Sequence, residues 1–239
     1  MSVVVSVVIE NDPVAAMTAQ MLRDEPAFRA SQDFGPFVRS GDSGGKRLIT
    51  GDQAGISLLK LRSGSRLDYR MSLLAGRGDV VLVRNRTPAF ENYLREVLGL
   101  SDVTFLAPRS PTTAPLLSCA RTCKSLKEEI ATRLSGGTAT ILSYQTTGDA
   151  WRLAKDLGDR IGRVIDVAGP APRISRRAND KLWFTALARK VLRQDAVPPT
   201  FAAYGPAGAA ALVGRFARTE QQIIVKVPDS AGSAGNLRI

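Results

Sequence analysis

Apolar and polar positions along the chain follow a pattern that predicts strands separated by helices. Apolar runs of strand length occupy residues 3–9, 47–50, 80–83, 103–106, 138–144 and 163–166. Between these runs, apolar residues recur at the spacing of a helix. Because strands that alternate with helices usually pair in parallel, we predict an α/β fold with a doubly wound, Rossmann-like sheet. Ligands of such sheets bind near the carboxyl ends of the strands.

Caps and helix breakers predict where the helices begin and end. Asn11 and Pro13 mark the start of the first helix, and Pro26 marks its end. Thr87 is a suitable N-cap because Pro88 follows it at the first helical position. The other helices are predicted at 67–74, 88–98, 116 or 125 to 134, and 147 or 149 to 157.

Glycine-rich patterns in the first two thirds of the chain do not match known phosphate-binding loops. Gly44, Gly45 and Lys46 approach a Walker A loop, but Ser40 and Arg47 stand where that loop needs Gly and Ser or Thr. We therefore predict a turn there. No Gly-x-Gly-x-x-Gly follows the first predicted strand, so the fingerprint of nicotinamide-binding enzymes is missing.

A short linker divides the chain in two. Residues 169–172 read Gly-Pro-Ala-Pro and precede a basic segment that contains Arg173, Arg176 and Arg177. Proline and glycine in such a cluster are typical of a domain boundary. We place the boundary at residue 172, which gives domains at 1–172 and 173–239.

The last eighteen residues predict a strand, a loop of small residues and a returning strand. The β-branched run 223–227 carries Lys226 and stops at Pro228, and residues 237–239 again favour a strand. Small residues let backbone amides approach an anion closely, and a lysine on the adjacent strand supplies a point charge. We interpret the loop amides around Gly232 and Gly235 as phosphate donors, with the Ser230 and Ser233 hydroxyls as further donors.

A helix that begins near residue 180 is the second candidate for phosphate binding. Asn179 is the predicted N-cap, and Trp183, Leu187 and Val191 recur at helical spacing. Lys181 stands in the first turn, where a cation opposes the helix dipole at a cost of about 0.3–1 kcal/mol. A bound anion would reverse the sign of that effect.

These residues together resemble a known family. Asn-Asp-Lys at 179–181 opens an aromatic-rich helix, Val-Pro-Pro-Thr follows at 197–200, and Ile-Val-Lys at 224–226 precedes the loop 228–236. Their order and spacing resemble the start of the ATP-grasp domain of pheganomycin-type peptide ligases, and the preceding region is similar to their preATP-grasp domain. The resemblance covers the last quarter of the chain well and the rest loosely. It implies a Rossmann-like preATP-grasp domain at 1–172, followed by the incomplete N-terminal part of an α+β ATP-grasp domain.

The resemblance implies an ATP-dependent carboxylate–amine ligase that acts through an acylphosphate. In the family, two lysines contact the ATP phosphates and the loop closes over them. The implied ATP-binding residues are therefore Lys181, Lys226, Ser230, Gly232, Ser233 and Gly235. The family's Mg²⁺ ligands and adenine-binding segment lie beyond this loop. Since the sequence stops at Ile239, we expect the metal ligands beyond its end and no ligase turnover by this chain alone, and the catalytic residues are not assigned.

Composition decides which partners to expect. The chain has 33 Lys and Arg against 22 Asp and Glu, a formal net charge of +11 that suits polyanionic ligands. A non-catalytic basic module that binds nucleic acid or nucleotides is the alternative. Nucleic acid is the less favoured partner because only 6% of residues are aromatic, and the helical spacing of Trp183 and Phe184 favours packing over base stacking. ATP and amino-acid or peptide substrates are the expected partners, with a second copy of the chain or a missing lobe left open.

Other residue types exclude some chemistry and suggest a location. The chain has no histidine, which excludes a histidine-based triad. Cys119 and Cys123 have no further ligand cluster nearby, so we predict that they pack rather than bind zinc or form a disulfide. Residues 3–9 lack a basic segment before them and are too short to cross a bilayer. We expect a cytoplasmic protein without membrane contact.

Overall fold

Six parallel strands form the central sheet in the computed structural model, which describes residues 13–24, 33–54, 67–192, 194–219, 222–229 and 235–239. The order across the sheet is β1-β6-β5-β2-β3-β4, and every pairing is parallel. The strands are β1 (Val38–Ser40), β2 (Lys46–Thr50), β3 (Val80–Leu82), β4 (Thr104–Leu106), β5 (Ala139–Ser143) and β6 (Ile165–Val167). The predicted parallel α/β sheet is confirmed, while the predicted strand at 3–9 and the cap at Asn11 lie outside the described residues.

Helices connect the strands close to the predicted positions. They are α1 (Pro13–Asp24), a 3-10 helix (Asp68–Leu74), α2 (Pro88–Glu96), α3 (Leu116–Thr122), α4 (Lys124–Leu134) and α5 (Gly148–Ile161). The two predicted starts at 116 and 125 correspond to two separate helices, which Cys123 divides. Helix α5 continues four residues beyond its predicted end, to the left-handed Gly162 with φ 69°.

The chain reverses direction across the sheet between β2 and β5. After β2 it continues outward to β3 and β4, and then it returns to β5 beside β2 and proceeds the other way to β6. The carboxyl ends of β2 and β5 therefore form the topological switch point at which α/β sheets usually bind ligands.

Apolar side chains cover both faces of the sheet. Leu48 belongs to a cluster that includes Ile141 and Trp151, whereas its neighbour Ile49 belongs to a second cluster with Val81. Successive strand residues point to opposite faces, so continuous apolar runs bury both sides of a parallel sheet. Cys123 packs against the first cluster, as predicted. Both cysteines have free thiols.

Gly44 and Gly45 form a bend directly before β2, where the sequence predicts a turn. Gly44 has φ 74°, and Lys46 begins β2. The Lys46 Nζ donates to the carbonyl oxygen of Arg133 at 2.8 Å, near the carboxyl end of α4. This contact links the start of β2 to the end of α4.

The described carboxy-terminal residues form three α-helices, one 3-10 helix and a hairpin. They are α6 (Pro172–Asn179), α7 (Lys181–Val191), a 3-10 helix (Gln194–Ala196), α8 (Gly205–Phe216) and the antiparallel strands β7 (Ile224–Lys226) and β8 (Asn236–Arg238). Both predicted strands are confirmed, residues 230–234 of the predicted loop lie outside the described residues, and α6 was not predicted. None of the described residues from Pro172 onward is buried.

The apolar face of α7 is therefore covered only in part. Trp183 and Leu187 are half-buried, but Phe184 is 57% exposed and Val191 is 48% exposed. The prediction that this helix packs into a core is wrong for Phe184 and Val191, because no described neighbouring element covers them. Among the described helices, none is long and apolar enough to cross a bilayer.

Candidate functional site

Asp180 caps the amino end of α7. Its Oδ1 accepts hydrogen bonds from the backbone N–H groups of Leu182 at 2.9 Å and Trp183 at 3.3 Å. Asn179 is the last residue of α6 instead, and its Nδ2 donates to the Ser175 carbonyl oxygen at 2.8 Å. The predicted N-cap at Asn179 is therefore wrong by one residue, because the preceding helix already contains Asn179.

Lys181 links the start of α7 to the end of β7. Its Nζ donates to the carbonyl oxygen of Val227 at 2.9 Å and to that of Pro228 at 3.1 Å. Its backbone N–H also donates to the Pro228 carbonyl oxygen, at 3.3 Å. Lys181 thus contacts the chain directly after Lys226, where β7 ends and the predicted loop begins.

Lys226 and Gly235 lie on the two sides of the same hairpin end. Lys226 pairs with Asn236 in the β7–β8 register, and the Val227 N–H donates to the Gly235 carbonyl oxygen at 3.0 Å. Gly235 has φ 78°, a left-handed conformation that glycine adopts without strain. Lys181 and Gly235 therefore both contact Val227. The other predicted phosphate donors, Ser230, Gly232 and Ser233, lie outside the described residues.

The charges around Lys181 affect its protonation. Partial burial lowers the pKa of Lys181, the Asp229 carboxylate opposes this shift, and the nearby Lys226 ammonium adds to it. Lys226 is close enough to Lys181 to disfavour its protonation. A bound polyanion would offset this repulsion, because phosphate oxygens stabilise both ammonium groups. Lysine acts on phosphate as a compact point charge with three donors.

The described residues fit ATP phosphates better than they fit a metal ion. Two lysines and the hairpin end offer cations and backbone groups to an anion. No group of three or more acidic or cysteine side chains that could hold a metal occurs in the part of the chain that the structure describes.

Sequence reasoning missed a buried ionic network at the carboxyl end of β2. The Arg84 guanidinium lies 2.8 Å from Asp52 Oδ1, and its Nε lies 3.8 Å from Asp68 Oδ2. Burial raises the pKa of Asp68 to about 6, although the Arg84 N–H and guanidinium act against this shift. Asp52 stands two residues after a predicted strand, and that position alone could have identified it, because ligands bind at such strand ends.

The comparison with protein families concerns this first part of the chain. Residues 68–159 match the family model described as the Pre ATP-grasp domain. The match covers the segment from the 3-10 helix through most of α5 and includes β3, β4 and β5. No curated protein and no solved structure matches the chain. The match supports an ATP-grasp family protein, and the six-stranded sheet with its helices fits the Rossmann-like fold of a preATP-grasp domain.

Proposed function

We propose that this chain is the amino-terminal portion of an ATP-dependent carboxylate–amine ligase of the pheganomycin ligase type, and that it holds the nucleotide phosphates with Lys181 and Lys226. The observation that carries the proposal is the contact of the Lys181 ammonium with the Val227 and Pro228 carbonyl oxygens. It brings two lysines, distant in sequence, to one strand–loop transition. The family match at 68–159 supports the ligase class independently of the lysines.

The role of each residue follows from its contacts. The Lys181 ammonium donates to two neutral carbonyl oxygens, which a charged phosphate oxygen can replace with a stronger, charge-assisted hydrogen bond. Lys226 adds a second cation, and Gly235 allows the backbone to turn close to the phosphates. Mg²⁺, when bound with ATP, would neutralise phosphate charge during transfer to a carboxylate.

The remaining parts of the proposal rest on the family resemblance. Transfer of the γ-phosphate to a carboxylate gives an acylphosphate, and an amine of an amino acid or peptide then displaces the phosphate. The resemblance assigns the metal ligands and the adenine contact to segments that follow the hairpin, so we expect little turnover from these residues by themselves. The cytoplasmic location stays a prediction.

Calorimetric titration with Mg-ATP tests the proposal. The Lys181→Ala, Lys226→Ala double variant should bind at least about tenfold more weakly, because one hydrogen bond to a charged group contributes about 1.5–3 kcal/mol. The control is the Lys155→Ala, Lys190→Ala double variant, which removes the same charge from exposed positions on α5 and α7. Equal affinity in the two double variants would contradict the assignment.

The same samples distinguish the alternative of a nucleic-acid-binding module. Phosphate binding to DNA weakens steeply with salt, because each neutralised phosphate releases counterions. Tight binding to arbitrary duplexes, lost between low and physiological salt and equally reduced in both double variants, would favour that alternative. ATP binding that depends on Lys181 and Lys226 alone would favour the ligase.

A further inference from the structure

A cavity of about 220 Å³ opens at the topological switch point, beside the carboxyl ends of β2 and β5. Residues that follow these two strands, together with the starts of α3 and α5, form its walls. The polar residues that line it are Thr50, Asp52, Ser143, Gln145, Thr147 and Asp149. It lies within the sheet domain and involves neither Lys181 nor Lys226.

The cavity wall presents hydrogen-bond acceptors and no cation. Its polar lining consists of two carboxylates, one amide and three hydroxyls, and no lysine or arginine is among the described residues that line it. Arginines outside the lining pair with both carboxylates: Arg84 with Asp52, and Arg121 and Arg152 with Asp149. A ligand rich in hydrogen-bond donors suits this lining, because a buried acceptor without a donor is costly.

Both carboxylate oxygens of Asp52 already accept hydrogen bonds from the protein. Its Oδ1 accepts from Arg84 at 2.8 Å, and its Oδ2 accepts from the Leu116 N–H at 2.6 Å. Arg84 is fixed in turn by the carbonyl oxygens of Thr112 at 2.6 Å and Ala114 at 2.8 Å. Asp52 therefore shapes one wall of the cavity and has little capacity left for a ligand.

The opposite wall keeps acceptor capacity. Gln145 Oε1 is buried and accepts no hydrogen bond from the described residues. Asp149 Oδ1 forms ion pairs with Arg121 at 3.7 Å and Arg152 at 3.6 Å, distances that are too long for hydrogen bonds, so Asp149 keeps hydrogen-bond acceptor capacity. The Thr147 hydroxyl makes no capping hydrogen bond to α5. These three side chains stand within five residues of one another at the start of α5.

We infer that this cavity binds the ammonium group of a small primary amine. An ammonium group carries three donors and no acceptor, which matches three neighbouring oxygens that retain acceptor capacity, one of them on a carboxylate. The inference rests on the proposed function only for the further step that this amine is a substrate of the ligase. Binding of the amine itself needs no ATP, so it can be tested separately.

Amide chemical shifts of the ¹⁵N-labelled full chain provide the test. The probes are amides of small L-amino acids, led by alaninamide, and the matched neutral probe is lactamide, in which a hydroxyl replaces the amino group. The titration is run without ATP at pH about 6.5, below the ordinary α-amino pKa of about 7.7–8.0. The amines should shift the signals of residues 50–52 and 143–149 saturably, and lactamide should not.

Variants at the cavity decide whether the named side chains carry the binding. Asp149→Asn should weaken amine binding about tenfold, and Thr147→Val should weaken it less, because it removes a neutral acceptor. The control is Asp156→Asn, which removes a carboxylate from the same helix where Asp156 contacts Lys127 at 3.3 Å, away from the cavity lining. Thermal unfolding of each variant confirms that the fold is retained.

Three results would overturn the inference. One is the absence of saturable shifts with every amine in the set, and another is equal binding of alaninamide and lactamide. The third is saturation by Mg²⁺ alone with no response to amines, which would assign the cavity to a cation. None of these results bears on ATP affinity, whereas loss of the lysine effect on Mg-ATP binding would refute the proposed function without affecting the cavity.

Discussion

The stability of the sheet domain should depend on the protonation of Asp68. This carboxylate is buried, its Oδ2 accepts from the Arg84 N–H at 2.9 Å, and its Oδ1 has no hydrogen-bond partner among the described residues. Burial raises the pKa of Asp68 to about 6, and the neighbouring Asp52 charge adds to this shift, while Arg84 opposes it. The ionised side chain is therefore destabilising in the folded protein.

The magnitude follows from the shift in pKa. One pKa unit corresponds to about 1.4 kcal/mol, so a folded pKa of about 6 against an ordinary value near 3.9 costs roughly 3 kcal/mol of stability at neutral pH. At a pH below the pKa of Asp68 in the unfolded chain, Asp68 is protonated in both the folded and the unfolded protein, and its favourable contribution to folding stability is complete. It is lost as pH rises through the folded pKa, because the unfolded chain gives up the proton first.

Asp68→Asn removes the titration but keeps the shape. The difference in unfolding free energy, variant minus wild type, should grow by up to about 3 kcal/mol between pH about 4 and pH about 7. Urea denaturation at several pH values measures this difference, and Asp102→Asn at an exposed turn is the control, with a difference that should stay nearly constant. A pH-independent difference for Asp68→Asn would refute the reasoning.

Two further predictions concern the sheet. Gly45→Ala should lower stability by about 1–3 kcal/mol or more in thermal unfolding, because its Cβ would lie 1.9 Å from the Thr138 carbonyl oxygen, whereas Gly137→Ala, with nothing within 4 Å, should have a small effect. Arg39→Gln should make acid unfolding begin at a higher pH. Although burial raises the pKa of Asp166, the hydrogen bonds from Arg39 at 2.9 Å and from Ser43, together with the Arg39 charge, lower it overall, and unchanged acid unfolding would contradict this assignment.

The buried strands were predictable because both of their faces are apolar. In β3 and β5 nearly every residue is buried, so an apolar run in the local sequence is enough to predict a buried strand. Strand β1 was missed because Val38-Arg39-Ser40 has one apolar residue and is too short for a pattern. Its position depends on pairing with β6 and on the contact between Arg39 and Asp166, 127 residues later. Only the folded chain brings those two segments together.

The candidate phosphate site was predictable in its residues but not in its contacts. A lysine at a helix start and another before a loop of small residues are local signals, and the structure places both at one hairpin end. The cap was misplaced because Asn179 and Asp180 are both good capping residues, and α6, which is too polar for an apolar pattern, contains Asn179. The residues at the switch point come together through the order of the strands in the sheet, and no local sequence pattern predicts that order.

The two sites differ most clearly in how much hydrogen-bonding capacity each leaves for a ligand. At the hairpin, Lys181 donates to neutral carbonyl oxygens, and a phosphate can take their place because its charge makes the exchanged hydrogen bond stronger. At the switch point, Asp52 is held by a guanidinium and a backbone N–H, and a ligand would have to break a buried ion pair to reach it. Residue type alone would rank Asp52 as the leading ligand-binding group of the cavity. Its contacts exclude it, and the side chains that keep hydrogen-bond acceptor capacity are Gln145, Thr147 and Asp149, of which Asp149 also forms two ion pairs.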